Sequence, residues 1–376
     1  MSLTLLILGA IIFICVLLNS ASTKIGVPVL LAFILFGMLC GNISAIPVYL
    51  DNYTVAENVC TIALVFIMFY GGFGTRWRSA RKVVTESALM ASVGVILTAL
   101  LAGLICRLIF RWGWLECFLL GSVVSSTDAA SVFSILRGSK MALKNNTSSV
   151  LEVESGSNDP CSYLMTVLFL SLMKGEMAGW QAVMLIISQI AIGALGGYVI
   201  AFVGIRLMRR IHFLKEGFDS IMVVSIALTS YALPAVFGGN GFLSAYIVGM
   251  IMGNSVFPGK VKLTGFFDGV TSLMQLLIFF MLGLLARPEG LSKAFLPSLA
   301  IFAVMLFVVR PLATASVLTP FRKYPWRQQA LISFAGLRGA SSIVFAIVAV
   351  SGAPELHIDI FNMVFCIVLM SITLQG

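Results

Sequence analysis

Apolar runs long enough to cross a bilayer recur along the whole of this sequence, and they set its class before any motif is read. A helix needs about 20 predominantly apolar residues to span the hydrocarbon layer. Such runs occupy Leu3–Leu18, 27–42, 56–75, 84–106, 115–136, 149–173, 180–205, 219–237, 241–256, 266–286, 294–318, 328–350 and 358–375. Of the 376 residues, 60% are hydrophobic and only 10% are charged, whereas a soluble domain carries roughly 25% charged residues. The expected fold is an all-α polytopic membrane protein of about thirteen transmembrane helices. At about 29 residues per span, little chain is left for an extramembrane domain, so residues 1–376 form a single membrane domain.

The net charge of +9 does not point to nucleic acid, because the basic residues sit in short loops. Alternate loops hold 17 of the 24: Lys24; Arg76, Arg78, Arg81 and Lys82; Arg137, Lys140 and Lys144; Arg206, Arg209, Arg210 and Lys215; Lys260 and Lys262; Arg322, Lys323 and Arg327. The opposite loops hold five, namely Arg107, Arg111, Lys174, Arg287 and Lys293, and two lie inside spans, Arg310 and Arg338. Lys and Arg accumulate on the cytoplasmic side. The expected orientation is therefore N-terminus outside and C-terminus cytoplasmic. No basic residue precedes Leu3–Leu18, which argues for a retained first span over a cleaved signal peptide. The seven cysteines (15, 40, 60, 106, 117, 161 and 366) show no paired spacing and read as buried free thiols. His212 and His357 fall in loops and read as solvated.

Thirteen spans permit an internal symmetry. If spans one to six recur as spans eight to thirteen, the odd offset inverts the second copy in the membrane. Inverted repeats around a midplane site at discontinuous helices are a transporter architecture. On this reading 1–173 is the first repeat, 174–218 holds the linking span seven and its loop, and 219–376 is the inverted second repeat. Spans five and twelve should be partners. Span five carries Gly121-Ser122-Val123-Val124-Ser125-Ser126-Thr127-Asp128-Ala129-Ala130-Ser131, and span twelve carries Phe334-Ala335-Gly336-Leu337-Arg338-Gly339-Ala340-Ser341-Ser342. Both are small, polar and charged at mid-span, as discontinuous helices crossing there would be.

Charged groups at membrane depth are costly and mark ion or substrate pathways. Asp159, beside Asn158 in span six, is the expected ion carboxylate. Desolvation raises the proton affinity of a carboxylate, so one such group can hold either a proton or a desolvated cation. Ser155, Thr127 and the carbonyls of the unwound span five are candidate further ligands, because alkali ions take several oxygens. Ser157-Asn158-Asp159-Pro160 also resembles an ordinary helix start. Asp128 either ligates the cation or neutralises helix N-termini at the crossing. An amide at Asn158 leaves one exchanging carboxylate and hence a one-for-one, electroneutral cycle. Glu154 requires a partner, and both Arg310 and Arg338 are candidates; Glu154–Arg310 is read as a structural clasp between spans six and eleven. The glycines of Gly193-Ala194-Leu195-Gly196-Gly197 in span seven allow close helix packing.

Ser126-Thr127-Asp128-Ala129, Glu154-Ser155-Gly156-Ser157-Asn158-Asp159-Pro160 and Gly336-Leu337-Arg338-Gly339-Ala340 resemble the monovalent cation/proton antiporter family. That family includes bacterial NhaP-type exchangers and animal sodium/proton exchangers. Phe69-Tyr70-Gly71-Gly72-Phe73 and Ser371-Ile372-Thr373-Leu374-Gln375-Gly376 fit it too, so the resemblance covers essentially the whole chain. It implies a homodimer in the cell inner membrane, a dimerisation domain separate from a moving core, and elevator-like alternating access. It also implies that Asp159 carries the ion, that Thr127-Asp128 form the unwound crossing, and that Glu154 pairs with Arg310. The wording of the span-six motif is closest to the potassium/proton branch. Members of that branch carry cytosolic C-terminal regulatory domains, whereas this sequence stops straight after span thirteen, so such a tail is expected to be missing here.

The expected function is electroneutral exchange of potassium or sodium for protons, serving pH homeostasis. No cofactor is expected, since the cation and the proton are the transported species. Phosphate-binding loops, HExxH and a serine elbow are absent, which argues against ATP-driven transport and hydrolysis. The rival readings are a proton- or sodium-coupled solute symporter and a cation channel.

Overall fold

The computed structural model describes residues 2–25, 28–42, 52–128, 143, 146–175, 179–211, 217–353 and 355–375. They form α1 (Ser2–Ile25), α2 (Val29–Asn42), α3 (Tyr53–Gly74), α4 (Val84–Phe110), α5 (Trp114–Val123), α6 (Thr147–Ser157), α7 (Asp159–Met173) and α8 (Gly179–Arg210). Then follow α9 (Phe218–Val236), α10 (Gly241–Gly253), α11 (Lys260–Leu285), α12 (Glu289–Phe321), α13 (Trp326–Phe334), α14 (Ala340–Gly352) and α15 (Ile360–Gln375). No strand occurs among the described residues. Six helices, α3, α4, α8, α9, α11 and α12, are each long and apolar enough to cross a membrane. His212, Arg137, Lys140, Lys144, Lys215 and the second half of the expected span five lie outside the described residues.

Several helices overrun their apolar stretch. Arg206, Arg209 and Arg210, expected in a loop, form the last turns of α8, and Lys260 and Lys262 lie in the first turn of α11. Arginine and lysine are good helix formers, and at a C-terminus their charge complements the helix dipole. The apolar pattern ends where the hydrocarbon layer ends, but the helix continues into the interface. Span six, read as one stretch, is divided at Asn158 into α6 and α7. Pro160 has no N–H to give the carbonyl of Gly156, which releases the chain at that point.

The helices sort by contact into two sets: α2, α3 and α8–α11 in one, α4–α7 and α12–α15 in the other. Each set draws on both halves of the chain. In the first set backbones touch directly through glycine. A methyl group at Gly249 of α10 would overlap the Phe69 carbonyl oxygen of α3, and one at Gly283 of α11 would overlap the Ile34 carbonyl oxygen of α2. The span-seven glycines serve the same purpose within the chain: a Cβ at Gly193 would meet the Asn240 carbonyl oxygen at 2.7 Å, and one at Gly197 the Ser244 carbonyl oxygen at 3.0 Å. All seven cysteines are free, and all but Cys161 are fully buried.

Gly249→Ala should therefore destabilise the protein by about 1–3 kcal/mol, the usual cost of overfilling a packed contact. Gly269→Ala on α11, with nothing near its Cα, should be neutral or slightly stabilising. Thermal unfolding followed by tryptophan fluorescence in detergent compares the two.

Candidate functional site

Two broken segments meet at the centre of the second set. α5 ends at Val123, and residues 124–128 leave the helix; α13 ends at Phe334, and residues 335–339 are irregular before α14 begins. Ser125, Ser126 and Thr127 carry hydroxyls that compete for backbone groups, and Ser125 Oγ indeed donates to the Ser122 carbonyl at 2.7 Å. Where the segments pass, the Asp128 N–H donates to the Leu337 carbonyl at 2.8 Å. Arg338 Nη1 donates to the carbonyls of Ser125 at 3.0 Å and Ser126 at 2.7 Å. The carboxylate of Asp128 lies against the Cα of Gly339, immediately before the first turn of α14, where any side chain at 339 would overlap it. A base thus faces the carbonyls released beyond α5, and an acid faces the free N–H groups of α14, each complementing the partial charge of a helix end.

Asp159 opens α7 and is 2% exposed. One carboxylate oxygen accepts from Ser126 Oγ of the first broken segment, and the other accepts from Ser341 Oγ of α14 at 2.5 Å. Neither serine was singled out as a partner in the sequence, although both lie inside the quoted mid-span polar stretches. Asn158 is helical and makes no capping bond with its side chain. Its amide reaches sideways instead, donating to Thr127 Oγ1 and, at 3.3 Å, to the Thr127 carbonyl, while Oδ1 has no hydrogen-bond partner among the described residues. Ser155 Oγ lies 3.2 Å from Thr127 Oγ1. Thr127, Ser155 and Asn158 therefore form one cluster, and Ser126, Asp159 and Ser341 form a second one beside it.

The two buried bases divide their work. Arg310 Nη2 lies 2.7 Å from Glu154 Oε1, with both side chains almost wholly buried. Arg338 serves the carbonyls of the crossing. Arg310 directly follows a five-residue widened turn, Met305–Val309, ahead of Pro311. Such π-type turns shift helix register locally. Gly336 lies close against the Arg310 guanidinium, so a Cβ there would come 2.7 Å from Nε.

A cavity of about 330 Å³ leads to the site. Asp128, Ser155, Asp159 and Ser341 line one wall, with Glu152 also at its margin; Tyr70 and Asp268 line the wall belonging to the other helix set. The Tyr70 hydroxyl donates to Asp268. One helical turn beyond Asp159 and Ser341, Tyr163 and Phe345 pack on Phe242 of α10, with centroids 4.9 Å and 6.1 Å away. Tyr231 packs on Phe242 at 4.8 Å. None of these four rings is among the residues that line the cavity. Beside them, Asn240 Nδ2 donates to the Pro160 carbonyl at 2.8 Å, while its Oδ1 accepts from the Leu243 N–H and caps α10.

Taken together, these features define a polytopic helical membrane protein with a buried acidic centre at crossed helix breaks. Its sequence places it further. The profile described as "sodium/hydrogen exchanger, transmembrane" matches residues 9–376, and the chain belongs to that family. It is 36% identical to the K(+)/H(+) antiporter NhaP of Alkalimonas amylolytica over 377 residues, covering 100% of this chain and 65% of that protein. It is also 36% identical to the K(+)/H(+) antiporter NhaP2 of Shewanella sp. (strain MR-4), covering 98% of this chain and 65% of that one. The chain thus spans just under two thirds of the length of these curated relatives. The structure superposes on the sodium proton antiporter MjNhaP1 from Methanocaldococcus jannaschii with a TM-score of 0.86, at 20% identity and 99% coverage of that chain, which shows a shared fold.

Glu154→Gln should cost about 3–5 kcal/mol, because it leaves the Arg310 charge buried without its counter-ion. Glu154→Leu combined with Arg310→Met should recover most of that loss, since apolar replacement of a buried pair is commonly near neutral. Unfolding midpoints in detergent read both outcomes.

Proposed function

We propose that this chain exchanges a monovalent cation, potassium in preference to sodium, for a proton by alternating access around Asp159. The observation that carries the reading is a buried carboxylate whose two oxygens bond to hydroxyls on two different broken segments, at the end of an open cavity. A proton or a cation on Asp159 neutralises the same negative charge, and each displaces the other. Because residue 158 is an amide, one carboxylate changes partner per turnover, and the cycle carries no net charge. Hydroxyl groups suit both states, since they donate to the bare carboxylate and turn a lone pair to a bound cation. Thr127, Ser155 and the Oδ1 of Asn158 supply further oxygens beside it. Asp128 and Arg338 act by holding the crossing together, and Glu154–Arg310 by bracing α6 against α12.

Alternating access requires the open cavity to close and the four-ring face to part, which a shift of one helix set against the other achieves. Thirteen spans in two inverted repeats, with the N-terminus outside and the C-terminus in the cytoplasm, accommodate these movements. The preference for potassium is supported by the names of the relatives, and a homodimer in the cell inner membrane by the family resemblance. A cytosolic regulatory domain outside this chain is a further partner that the family resemblance implies.

Asp159→Asn in proteoliposomes containing a pH dye should abolish cation-induced proton movement, whereas the unaltered protein responds to potassium. Full exchange in the variant would sink the assignment of Asp159. Current through the unaltered protein without proton coupling would indicate a channel, and dependence on an added organic solute a symporter. Offering potassium, sodium, lithium and rubidium in turn tests the ion, and a response to sodium alone would overturn the potassium preference.

A further inference from the structure

The exposed side of α8 carries a second feature, which shares no lining residue with the Asp159 cavity. A groove of about 440 Å³ runs between the end of α8 and α10. From α8 it is lined by Tyr198, Phe202, Arg206 and Arg209, which recur at the spacing of one helix face, together with Arg210; Ile251 lines it from α10. The two aromatic side chains are about three-fifths exposed, and α8 is the least buried of the six long apolar helices, so this face of the single chain is uncovered. Among the described residues no carboxylate lines the groove. The Arg209 guanidinium is fixed by its Nε, which donates to the Val256 carbonyl at 3.0 Å, so its remaining donors point from a defined position.

We infer that this groove binds an anionic phospholipid, with its phosphate among Arg206, Arg209 and Arg210 and its chains along Tyr198, Phe202 and Ile251. Three arguments carry the assignment. Arginine presents donors in a planar fork that matches phosphate oxygens. The distance along α8 from Tyr198 to Arg209 is about 16 Å of helix, which places the aromatic pair at acyl depth when the arginines sit at the headgroups. A dissolved phosphate or nucleotide would use the basic end alone and leave the apolar part of the groove empty, whereas a lipid fills both. The exposed arginines of this end thus select a headgroup, in addition to orienting the chain in the membrane. The inference requires a membrane-embedded chain and is independent of what Asp159 exchanges.

The test uses delipidated full chain in detergent, with bound lipid counted by native mass spectrometry. Dioleoyl phosphatidylglycerol should bind and dioleoyl phosphatidylcholine should not. Changing Arg206, Arg209 and Arg210 together to Gln should weaken phosphatidylglycerol binding about 100-fold, each basic residue near the surface contributing roughly fivefold. The same change at Arg76, Arg78 and Arg81, another basic helix end, should leave it intact. Arg206→Gln or Arg210→Gln alone, both exposed positions, should each weaken binding about fivefold, which keeps the test open should the triple variant fold poorly. Equal binding of the two lipids would overturn the inference, as would equal loss in both triple variants. Displacement of the lipid by millimolar inorganic phosphate would likewise overturn it, by showing an anion site without a lipid requirement.

Discussion

The structure rests on a reciprocal charge arrangement where the chain leaving α5 passes the break between α13 and α14. Breaking a helix inside a membrane exposes carbonyls on one side of the break and N–H groups on the other, and lipid can satisfy neither. Here Arg338 takes up the carbonyls of Ser125 and Ser126, and Asp128 stands before the N-terminus of α14. Each charge would be prohibitive alone at that depth; each is tolerated because the other helix presents the opposite partial charge. The remainder of the site depends on this crossing. It holds Ser126 and Ser341 on opposite sides of Asp159, and it keeps Thr127 within reach of Asn158.

Around the crossing, packing follows chemistry. Helices α3 and α11, which line the cavity's far wall, approach α10 and α2 respectively through glycine backbones in closely fitted contacts. The site helices add buried polar groups to such contacts: a Cβ at Gly121 of α5 would overlap the Ala99 carbonyl oxygen of α4. A fitted wall opposite a polar, hydroxyl-rich one is an arrangement in which the first keeps its shape while the second exchanges partners.

Much of this was legible in the chain. Residues such as Asp128, Asp159 and Arg338 announce themselves, because a charge in an apolar run has no bland explanation. The interruption in span twelve is written in Gly336 and Gly339. Other features left a weaker trace. Ser126 and Ser341 are ordinary small residues, and their pairing with Asp159 spans 33 and 182 residues of sequence, a relation set only by the crossing. Glu154–Arg310, the pairing read from the residues, is the one formed, and Arg338, the other candidate, binds the Ser125 and Ser126 carbonyls instead. The ends of α8 and α11 were misplaced because hydropathy reports where lipid stops and is silent on where the helix does. The aromatic face of Tyr163, Tyr231, Phe242 and Phe345 draws on α7, α9, α10 and α14, so it has no local sequence signature at all.

One small contact has a mechanical meaning. Asn240 uses its oxygen to start α10 and its nitrogen to hold the carbonyl of Pro160, so a single amide joins the fitted wall to the helix that begins with Asp159. Any motion that draws α7 along α10 must first part that bond, and leaving its buried groups unpaired costs about 1–3 kcal/mol. On the proposed exchange cycle, Asn240 works as a detent, firm enough to define a resting position and weak enough to part in each turnover.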